Sequence, residues 1–226
     1  MFYLLVTTFH YLLISLQQAR HAEQQQATLA LEAREAELRA LRAQVQPHFL
    51  FNSLNAISSL VARDPEQARQ MCISLADFLR LTLGSSDQRE IPLGDELALV
   101  RTYLAVERIR LGERLLVVED VGDGAAVVSV PPCILQPLVE NAVRHGIAML
   151  EQGGTLRLSA RIEGGYLLLT VTNPIDPTRL RYREGYGLAN VRRRLAARYR
   201  KEGFFAARPI GGEFHAFMRL PLESSA

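Results

Sequence analysis

The stretch "LRALRAQVQPHFLFNSLNAISSLV" (38–61) decides how the first part of the chain is built. In it a charged, helix-forming run meets Pro47, which is followed at once by His48. Because proline has no N–H, a helix that continued through Pro47 would lose its hydrogen bond to the Ala43 carbonyl and kink. We predict that the kink turns the His48 imidazole outward, where a neutral ring nitrogen can accept a phosphoryl group. A packed or solvated helix histidine is the alternative.

Upstream of Pro47 the chain has a heptad pattern. Leu31, Leu38 and Val45 are spaced by seven residues, and neither glycine nor proline interrupts the run. Apolar residues at this spacing favour a parallel dimeric coiled coil. We therefore predict a coiled-coil helix over 20–46, with a single solvated helix as the alternative.

The first nineteen residues carry no formal charge. A helix needs about 20 apolar residues to cross a bilayer, so this run is slightly short. No basic segment precedes it and no small-residue cleavage site comes after it, which argues against a signal peptide. We predict a transmembrane segment over 1–19, and Arg20 favours a cytoplasmic location for the rest of the chain. A buried or amphipathic helix, or the remainder of a larger membrane domain, is the alternative.

Two more helices are predicted after Pro47. Apolar residues continue at helical spacing to Val61, and "RDPEQ" (63–67) then predicts a turn with Asp64 as the N-cap of a helix that ends at Gly84. The two helices form a hairpin within residues 47–94. Two such hairpins would make a four-helix bundle.

From residue 95 to 226 the pattern becomes mixed. A third helix ends at Gly112, and the glycine pairs in "EGG" (163–165) and "PIGG" (209–212) predict β-hairpins. Strands are predicted at 115–120, 127–130, 155–162, 166–172, 203–208 and 213–220, and helices at 133–146 and 187–200. The predicted fold class is therefore α+β, with helices on one face of a largely antiparallel sheet.

The composition argues against several functions. The 226 residues carry a formal net charge of +2, which gives no electrostatic case for direct nucleic-acid binding. Cys72 and Cys133, in helix-like apolar contexts, have neither a disulfide framework nor a metal-ligand spacing, so a reducing compartment is favoured.

The segment "PPCILQPLVENAVRHG" (131–146) is a candidate phosphate and metal site. Asn141, Arg144 and His145 have three- and four-residue spacings that place them on one helix face, and Glu140 is the adjacent acid. Amide and carboxylate oxygens suit Mg²⁺, and an arginine pairs with phosphate. An ordinary polar helix face is the alternative.

The segment "EGYGLANVRRRL" (184–195) places Gly185 and Gly187 just before a helix. Backbone N–H groups at such a start can hold phosphate oxygens. Together the three segments suggest a nucleotide-binding layer that delivers a phosphoryl group to His48, in a reaction that depends mainly on positioning and charge neutralisation.

These segments resemble the LytS-like family of sensor histidine kinases over residues 38–222. "QPHFLFNSLNAI" (46–57) resembles its phosphoacceptor motif and "PPCILQPLVENAVRHG" its ATPase N-box. "GYGLANVRRRL" (185–195) resembles its second glycine box, and "GGEFHAFMRLPL" (211–222) its closing strands. The resemblance implies a GHKL (Bergerat) α/β sandwich over 95–226 and a homodimer as the working unit. It also implies transfer of the phosphoryl group to an aspartate of a response regulator, often one with a LytTR DNA-binding domain.

The resemblance also implies a role for each candidate residue. His48 would be autophosphorylated, and Asn141 would be the Mg²⁺ ligand. The residues assigned to ATP are Glu140, Asn141, Arg144, His145, Asn173, Gly185, Gly187 and Leu188.

One motif departs from the family pattern. The family has an Asp-x-Gly-x-Gly box whose Asp accepts a hydrogen bond from the adenine amino group, whereas this chain has "TVTNPIDP" (170–177), with Asn173 in that place. The Asn amide oxygen can accept the same bond, but an uncharged bond contributes about half as much as a charge-assisted one. Asp176, after a shift of register, is the alternative. The Asn-Pro pair is typical of the AlgZ-like branch.

Three functions arise as hypotheses. The first is an active, membrane-tethered histidine kinase that uses ATP and Mg²⁺. The second is a nucleotide-weak signalling scaffold, a pseudokinase that binds a response regulator. The third is an ATPase of the same fold in which Glu140 activates water, but that function leaves the His48 segment unexplained.

Overall fold

The computed structural model describes residues 47–84, 90–176, 185–200 and 202–222. The chain divides into two units, Met1–His48 and Phe49–Ala226. The predicted transmembrane segment 1–19 and coiled-coil helix 20–46 lie outside the described residues, as does the chain before the predicted kink at Pro47. Within the described ranges, no helix combines the length and the apolar character that crossing a bilayer requires.

Two helices form the predicted hairpin. Helix α1 spans Pro47–Val61 and helix α2 spans Pro65–Gly84. Asp64 precedes α2, and its carboxylate accepts a hydrogen bond from the Gln67 N–H at 3.0 Å. The prediction that Asp64 is the N-cap of this helix is therefore confirmed.

Helix α3 spans Leu93–Leu111 and packs against α2. It ends at Gly112, as predicted, where φ is 61° and a residue with a Cβ would be strained. Its Tyr103 joins Phe49 of α1 and Phe78 of α2 in an aromatic cluster, with ring centroids 4.9, 5.0 and 6.0 Å apart. These ring contacts pack the hairpin of α1 and α2 against α3.

A five-stranded sheet comes next, in the order β2-β4-β5-β7-β6. Its strands are β2 (Leu115–Val121), β4 (Gly154–Glu163), β5 (Tyr166–Pro174), β6 (Phe204–Ile210) and β7 (Glu213–Pro221). The pairing of β2 with β4 is parallel and the other three pairings are antiparallel. Two short strands, β1 (Ile91–Pro92) and β3 (Ser129–Val130), pair separately and antiparallel.

The two predicted hairpins are present. Gly164 and Gly165 connect β4 to β5 with φ values of 56° and 81°, and Gly211 and Gly212 connect β6 to β7 with values of 57° and 84°. Two consecutive residues with positive φ suit the tight turn that matches the twist of paired strands, and glycine adopts it without strain.

Two predicted elements differ in extent. The helix predicted over 133–146 begins only at Gln136: α4 spans Gln136–Asn141, and a π turn (Ala142–Gly146) and a 3-10 turn (Ile147–Met149) come after it. Its start is delayed because Cys133 has φ 55°, which no right-handed helix accommodates. Cys133 therefore lies in a turn and not in the helical context predicted for it. The strand predicted over 127–130 is reduced to β3.

The core lies between the helices and one face of the sheet. Helix α5 (Tyr186–Tyr199) packs on α4 and β6. Alternate residues of the central strands are buried on this face: Leu156, Leu158, Ala160, Leu167, Leu169, Val171, Phe214, Ala216, Met218 and Leu220. The α+β class, with helices on one face of a largely antiparallel sheet, is confirmed.

Candidate functional site

Helix α4 and its π turn carry four of the predicted site residues. Asn141 is half-buried at the end of α4, and Arg144 and His145 are exposed in the π turn. A π turn has i→i+5 hydrogen bonds and is frequent at functional sites. The prediction that Asn141, Arg144 and His145 share one helix face assumed α-helical spacing. That spacing does not hold across the π turn. Burial and the Arg144 guanidinium lower the pKa of His145, which keeps its imidazole neutral at pH 7.

Glu140 lies behind this exposed end and is 7% exposed. Its carboxylate accepts a hydrogen bond from Gln136 Nε2 at 2.7 Å. Burial raises the pKa of Glu140 to about 7, against the effects of the Gln136 hydrogen bond and the Arg144 charge, and Glu107 of α3 adds to the rise. Glu107 is itself buried and pairs with Arg110, whose Nε lies 3.0 Å from its carboxylate. Two carboxyl groups therefore share one buried environment between α3 and α4.

Asn173 lies at the end of β5, opposite Phe214 of β7, and is 1% exposed. Its Nδ2 donates to the Pro174 carbonyl at 2.8 Å, which fixes the orientation of the amide. Among the described residues its buried Oδ1 has no hydrogen-bond partner. A buried acceptor left unpaired costs about 1–3 kcal/mol, so a ligand donor would gain most at this atom.

Two glycines make room for the Asn-Pro pair. A Cβ on Gly146 would lie 1.9 Å from Asn173 Nδ2, and a Cβ on Gly154 would lie 2.3 Å from Pro174 Cγ. The next residue, Ile175, donates its N–H to the Gly212 carbonyl at 3.0 Å. The end of β5 is therefore held from both sides, and it lies against the π turn. Asp176, the alternative acid, lies just beyond the end of the strand and is half-buried.

The glycine turn lies beside α4. Gly185 and Gly187 are exposed, and among the described residues a Cβ on Gly185 would meet no atom within 4 Å. A Cβ on Gly187 would lie 3.6 Å from Pro137 Cβ, an ordinary contact. Leu188 is 2% exposed and its side chain supports the turn from the core.

His48 is the second residue of α1, and its side chain is exposed. Pro47 is the first described residue of α1, so the predicted kink before it stays a prediction. The exposure of the imidazole agrees with the accessibility that the sequence predicted.

The residues fit the groups that the sequence implied. Asn173 Oδ1 is a buried acceptor without a partner in the described part of the chain, which suits the amino group of adenine. Asn141 offers a hard amide oxygen, and Mg²⁺ in nucleotide sites takes one or two protein oxygens together with substrate phosphates.

Sequence reasoning did not predict two residues that organise this site. Gly146 is not among the predicted site residues, although its lack of a side chain admits Asn173. Glu96 of α3 is buried and accepts hydrogen bonds from the backbone just before α4. Its position offered a clue, because it lies three residues after Leu93 and four before Val100 on the apolar side of the helix.

Comparison with known proteins gives a consistent picture. A family model described as "Histidine kinase" matches residues 36–115. The sensor histidine kinase YpdA of Escherichia coli is 36% identical over 208 residues, covering 86% of this chain and 36% of the relative. The sensor protein LytS of Enterococcus faecalis is 32% identical over 204 residues, covering 84% of this chain and 35% of the relative. The solved histidine kinase domain of an Erythrobacter litoralis blue-light activated kinase has a TM-score of 0.46 and 17% identity, covering 83% of this chain and 91% of that one.

The chain thus spans about a third of the length of the curated relatives it matches. Its assignment to the AlgZ-like branch stays a prediction. The match to the kinase family model and the identity to these relatives over most of the chain agree with the four motifs found in the sequence. This chain belongs to the LytS-like family of sensor histidine kinases.

Proposed function

We propose that the chain is the kinase part of a two-component sensor histidine kinase. It autophosphorylates on His48 with ATP and passes the phosphoryl group to an aspartate of a response regulator. The observation that carries the proposal is the buried, unpartnered Oδ1 of Asn173 among the described residues, held against the turn that comes after Asn141. A nucleotide whose adenine bonds this oxygen would have its phosphates on the side of the helix that carries Asn141.

Each part of residues 95–226, the proposed GHKL domain, has a separate task. Asn173 accepts a hydrogen bond from the adenine amino group. Arg144, with His145 beside it, neutralises phosphate charge, and the backbone N–H groups at Gly185 and Gly187 bind phosphate oxygens. Mg²⁺ held through Asn141 would supply further charge neutralisation at the phosphates. Glu140 supports the helix from behind.

The chemical step belongs to His48. A neutral imidazole nitrogen of His48 forms an N–P bond to the γ-phosphorus while the bond from that phosphorus to the β,γ-bridging oxygen breaks, and ADP leaves. The imidazole then releases its extra proton to solvent. In the second step a carboxylate oxygen of the regulator aspartate attacks the phosphorus, the N–P bond breaks, and His48 takes up a proton to return to the neutral ring.

A homodimer is proposed as the working unit. Exposed apolar side chains lie on the two hairpin helices: Phe51, Leu54, Val61, Ile73 and Leu81, which are 66, 50, 59, 41 and 38% exposed. Such a stripe on a helical hairpin fits a second copy that completes a four-helix bundle. The coiled coil predicted over 20–46 and the transmembrane segment predicted over 1–19 would hold the two copies side by side at the inner membrane, with the kinase part in the cytoplasm. The partner regulator could be of the LytTR type, and no direct contact of this chain with nucleic acid is proposed.

Labelled ATP tests the proposal. The full chain incubated with γ-labelled ATP and Mg²⁺ should acquire label that is stable to base and lost in acid, and the His48→Gln variant should acquire none. His215→Gln, which changes a half-buried histidine of the sheet, is the matched control and should label normally. A folded wild-type chain that acquires no label at saturating ATP would contradict the kinase function.

The second candidate is the nucleotide-weak scaffold, which the Asn173-Pro174 pair favours because the family's charged acceptor is missing. This function predicts that millimolar ATP with Mg²⁺ leaves the melting temperature unchanged, since a ligand stabilises only a folded state that binds it. It also predicts that cells carrying His48→Gln signal normally. The kinase proposal predicts a higher melting temperature with ATP and a silent His48→Gln strain.

A further inference from the structure

A buried carboxylate binds the segment that leads into α4. Glu96 lies in the first turn of α3 and is 1% exposed. Its two carboxylate oxygens accept hydrogen bonds from three consecutive backbone N–H groups, those of Cys133, Ile134 and Leu135. The Ile134 and Leu135 nitrogens lie 3.0 and 2.9 Å from Oε2. Helix α4 begins at the next residue, so Glu96 holds the backbone from which α4 starts.

The backbone of this segment is shaped to present its N–H groups to an anion. Cys133 has φ 55°, a left-handed conformation that is strained for a residue other than glycine. Turns of this kind aim successive N–H groups at one negatively charged group. Here the negative group is a side chain of the same domain. Burial raises the pKa of Glu96, and the three backbone donors and the Arg194 guanidinium oppose that rise.

Packing alone does not explain a glutamate at position 96. A buried carboxylate loses several kcal/mol of hydration, and an apolar side chain of similar volume would fill the same space without that loss. Three hydrogen bonds to a charged acceptor offset the cost, because each is stronger than its neutral counterpart. The carboxylate therefore serves to hold the backbone at 133–135.

Arg194 brings α5 to the same place. Its Nη1 donates to the Pro132 carbonyl, and its guanidinium also interacts with the Cys133 thiol. At the start of the same helix, Gly187 lies beside Pro137 of α4. The helix that begins at the glycine turn and the helix that carries the proposed Mg²⁺ ligand therefore meet at residues 131–137.

We propose that Glu96 is a positioning residue of the nucleotide site, and that Arg194 links α5 to the segment that Glu96 holds. The inference rests on the proposed function, because the two elements positioned are those assigned to the nucleotide. Glu96 sets where α4 begins and thereby where Asn141, six residues after Leu135, is placed. Arg194, through its bond to the Pro132 carbonyl, keeps the glycine turn at the start of α5 in a fixed position relative to α4.

Hydrogen exchange of the full chain without nucleotide tests the contact itself. In the peptide 131–138, three prolines leave five exchangeable amides, and Glu96 binds three of them. In Glu96→Gln these three should exchange at least about tenfold faster, since a neutral amide offers one acceptor atom in place of two. The peptide 166–174 of β5 serves as the internal reference and should exchange at the wild-type rate.

Binding of a fluorescent ATP analogue with Mg²⁺ tests the positioning. A role through charge predicts that affinity falls in the order wild type, Glu96→Asp, Glu96→Gln, with about a tenfold loss for the glutamine variant. A role through packing predicts the opposite order for the two variants, because glutamine matches the volume of glutamate. Arg194→Ala, at an exposed position, should weaken binding about threefold without unfolding, whereas Arg193→Ala removes the same charge from the next residue and should bind as wild type.

Each outcome has a distinct meaning. Faster exchange at 133–135 together with weaker nucleotide binding in the order given supports the proposal. The positioning proposal is overturned if Glu96→Gln and Arg194→Ala bind the analogue as tightly as wild type. This holds whatever the rate of hydrogen exchange at 133–135. A folded wild-type chain that binds no analogue overturns the proposed function, and unchanged exchange in Glu96→Gln would independently overturn the holding role of the carboxylate.

Discussion

Gly146 and Asn173 approach so closely that a Cβ at position 146 would lie 1.9 Å from the Asn173 Nδ2. The same amide nitrogen donates to the Pro174 carbonyl. If the Asn173 side chain rotated away from Gly146, it would lose that hydrogen bond. The glycine that ends the π turn and the asparagine that ends β5 are therefore matched to each other. This contact is what brings the proposed adenine acceptor to the helix that carries Asn141.

Gly146→Ala should damage both stability and nucleotide binding. The added methyl group must displace the Asn173 side chain or the π turn, and overpacking of this kind costs about 1–3 kcal/mol. For a chain of this size that corresponds to about 2–4 °C per kcal/mol in melting temperature. The rise in melting temperature on addition of ATP and Mg²⁺ should disappear.

Gly185→Ala is the stability control for that variant. Within the described part of the chain a Cβ at position 185 meets no atom within 4 Å, and the residue has φ −75°, so the variant should melt as wild type in the absence of nucleotide. A Gly146→Ala chain that melts and responds to ATP like wild type would show that the contact does not constrain Asn173.

Arg110→Ala should destabilise the domain. Glu107 is 3% exposed and its carboxylate lies 3.0 Å from Arg110 Nε, so the substitution removes a guanidinium from a buried carboxylate. Removing one partner of a buried ion pair costs about 3–5 kcal/mol, and the partial exposure of Arg110 lowers the expected loss below that range, to roughly 2–3 kcal/mol. Urea unfolding measures it. Arg108→Ala, at an exposed position of the same helix, should change the free energy of unfolding by less than about 0.5 kcal/mol.

Leu54→Glu should separate the proposed homodimer. Leu54 is 50% exposed in the apolar stripe of α1, and a carboxylate there would have to be buried without a partner in a four-helix bundle. Light scattering coupled to size-exclusion chromatography of residues 47–226, without the predicted coiled coil and transmembrane segment, should show the mass of one chain in place of two. Ser59→Glu introduces the same charge at an exposed position away from the stripe and should leave the mass unchanged. Equal masses for both variants would argue against this face as the dimer contact.

Thiol labelling should distinguish the two cysteines. Burial, with a contribution from Glu96, raises the pKa of Cys133 to about 11, whereas Cys72 is exposed on α2. Because the thiolate is the reactive form, about one Cys133 in a thousand is reactive at pH 8, and its labelling rate should rise about tenfold per pH unit. A disulfide reagent at pH 8 should therefore give one fast phase that Cys72→Ser removes. A fast phase that survives in Cys72→Ser would contradict the burial of Cys133.

The sequence predicted those elements that depend on local chemistry. Gly164 with Gly165 marked a hairpin because tight turns need positive φ at both positions, and Gly112 ended α3 for the same reason. The alternation of buried and exposed residues along β5 and β7 is a two-residue period that any half-buried strand shows. These features are encoded within a few residues of where they act.

The features that were missed depend on contacts between distant residues. The parallel pairing of β2 with β4 joins strands separated by more than thirty residues, and nothing local to either specifies it. The Cys133 turn that delays the start of α4 donates its N–H to Glu96, 37 residues away, and the periodicity of the segment does not reveal this contact. The role of Gly146 was not predicted because its neighbour Asn173 is brought to it only by the fold.

Asn173→Asp, the change toward the family's usual residue, should reduce stability in a pH-dependent way. The substitution replaces the Nδ2 that donates to the Pro174 carbonyl by an oxygen, in a site that is 1% exposed. A protonated carboxyl can still donate to that carbonyl, whereas a carboxylate faces it with like partial charge. The folded state therefore holds the proton more tightly than the unfolded chain, in which the pKa of an aspartate is about 3.9.

The sign of the pH dependence is set by this difference in proton binding. Between the unfolded pKa and the higher folded one, the native state of Asn173→Asp binds more protons, so its stability falls as pH rises. The free energy of unfolding should lie near the wild-type value at pH 4 and below it by about 1–3 kcal/mol at pH 8. If adenine donates to this position, ATP with Mg²⁺ should restore more of the loss at pH 8 than GTP does, because the guanine ring presents a carbonyl oxygen there. A deficit that is equal at pH 4 and pH 8 would mean that the bond to Pro174 does not set the orientation of Asn173.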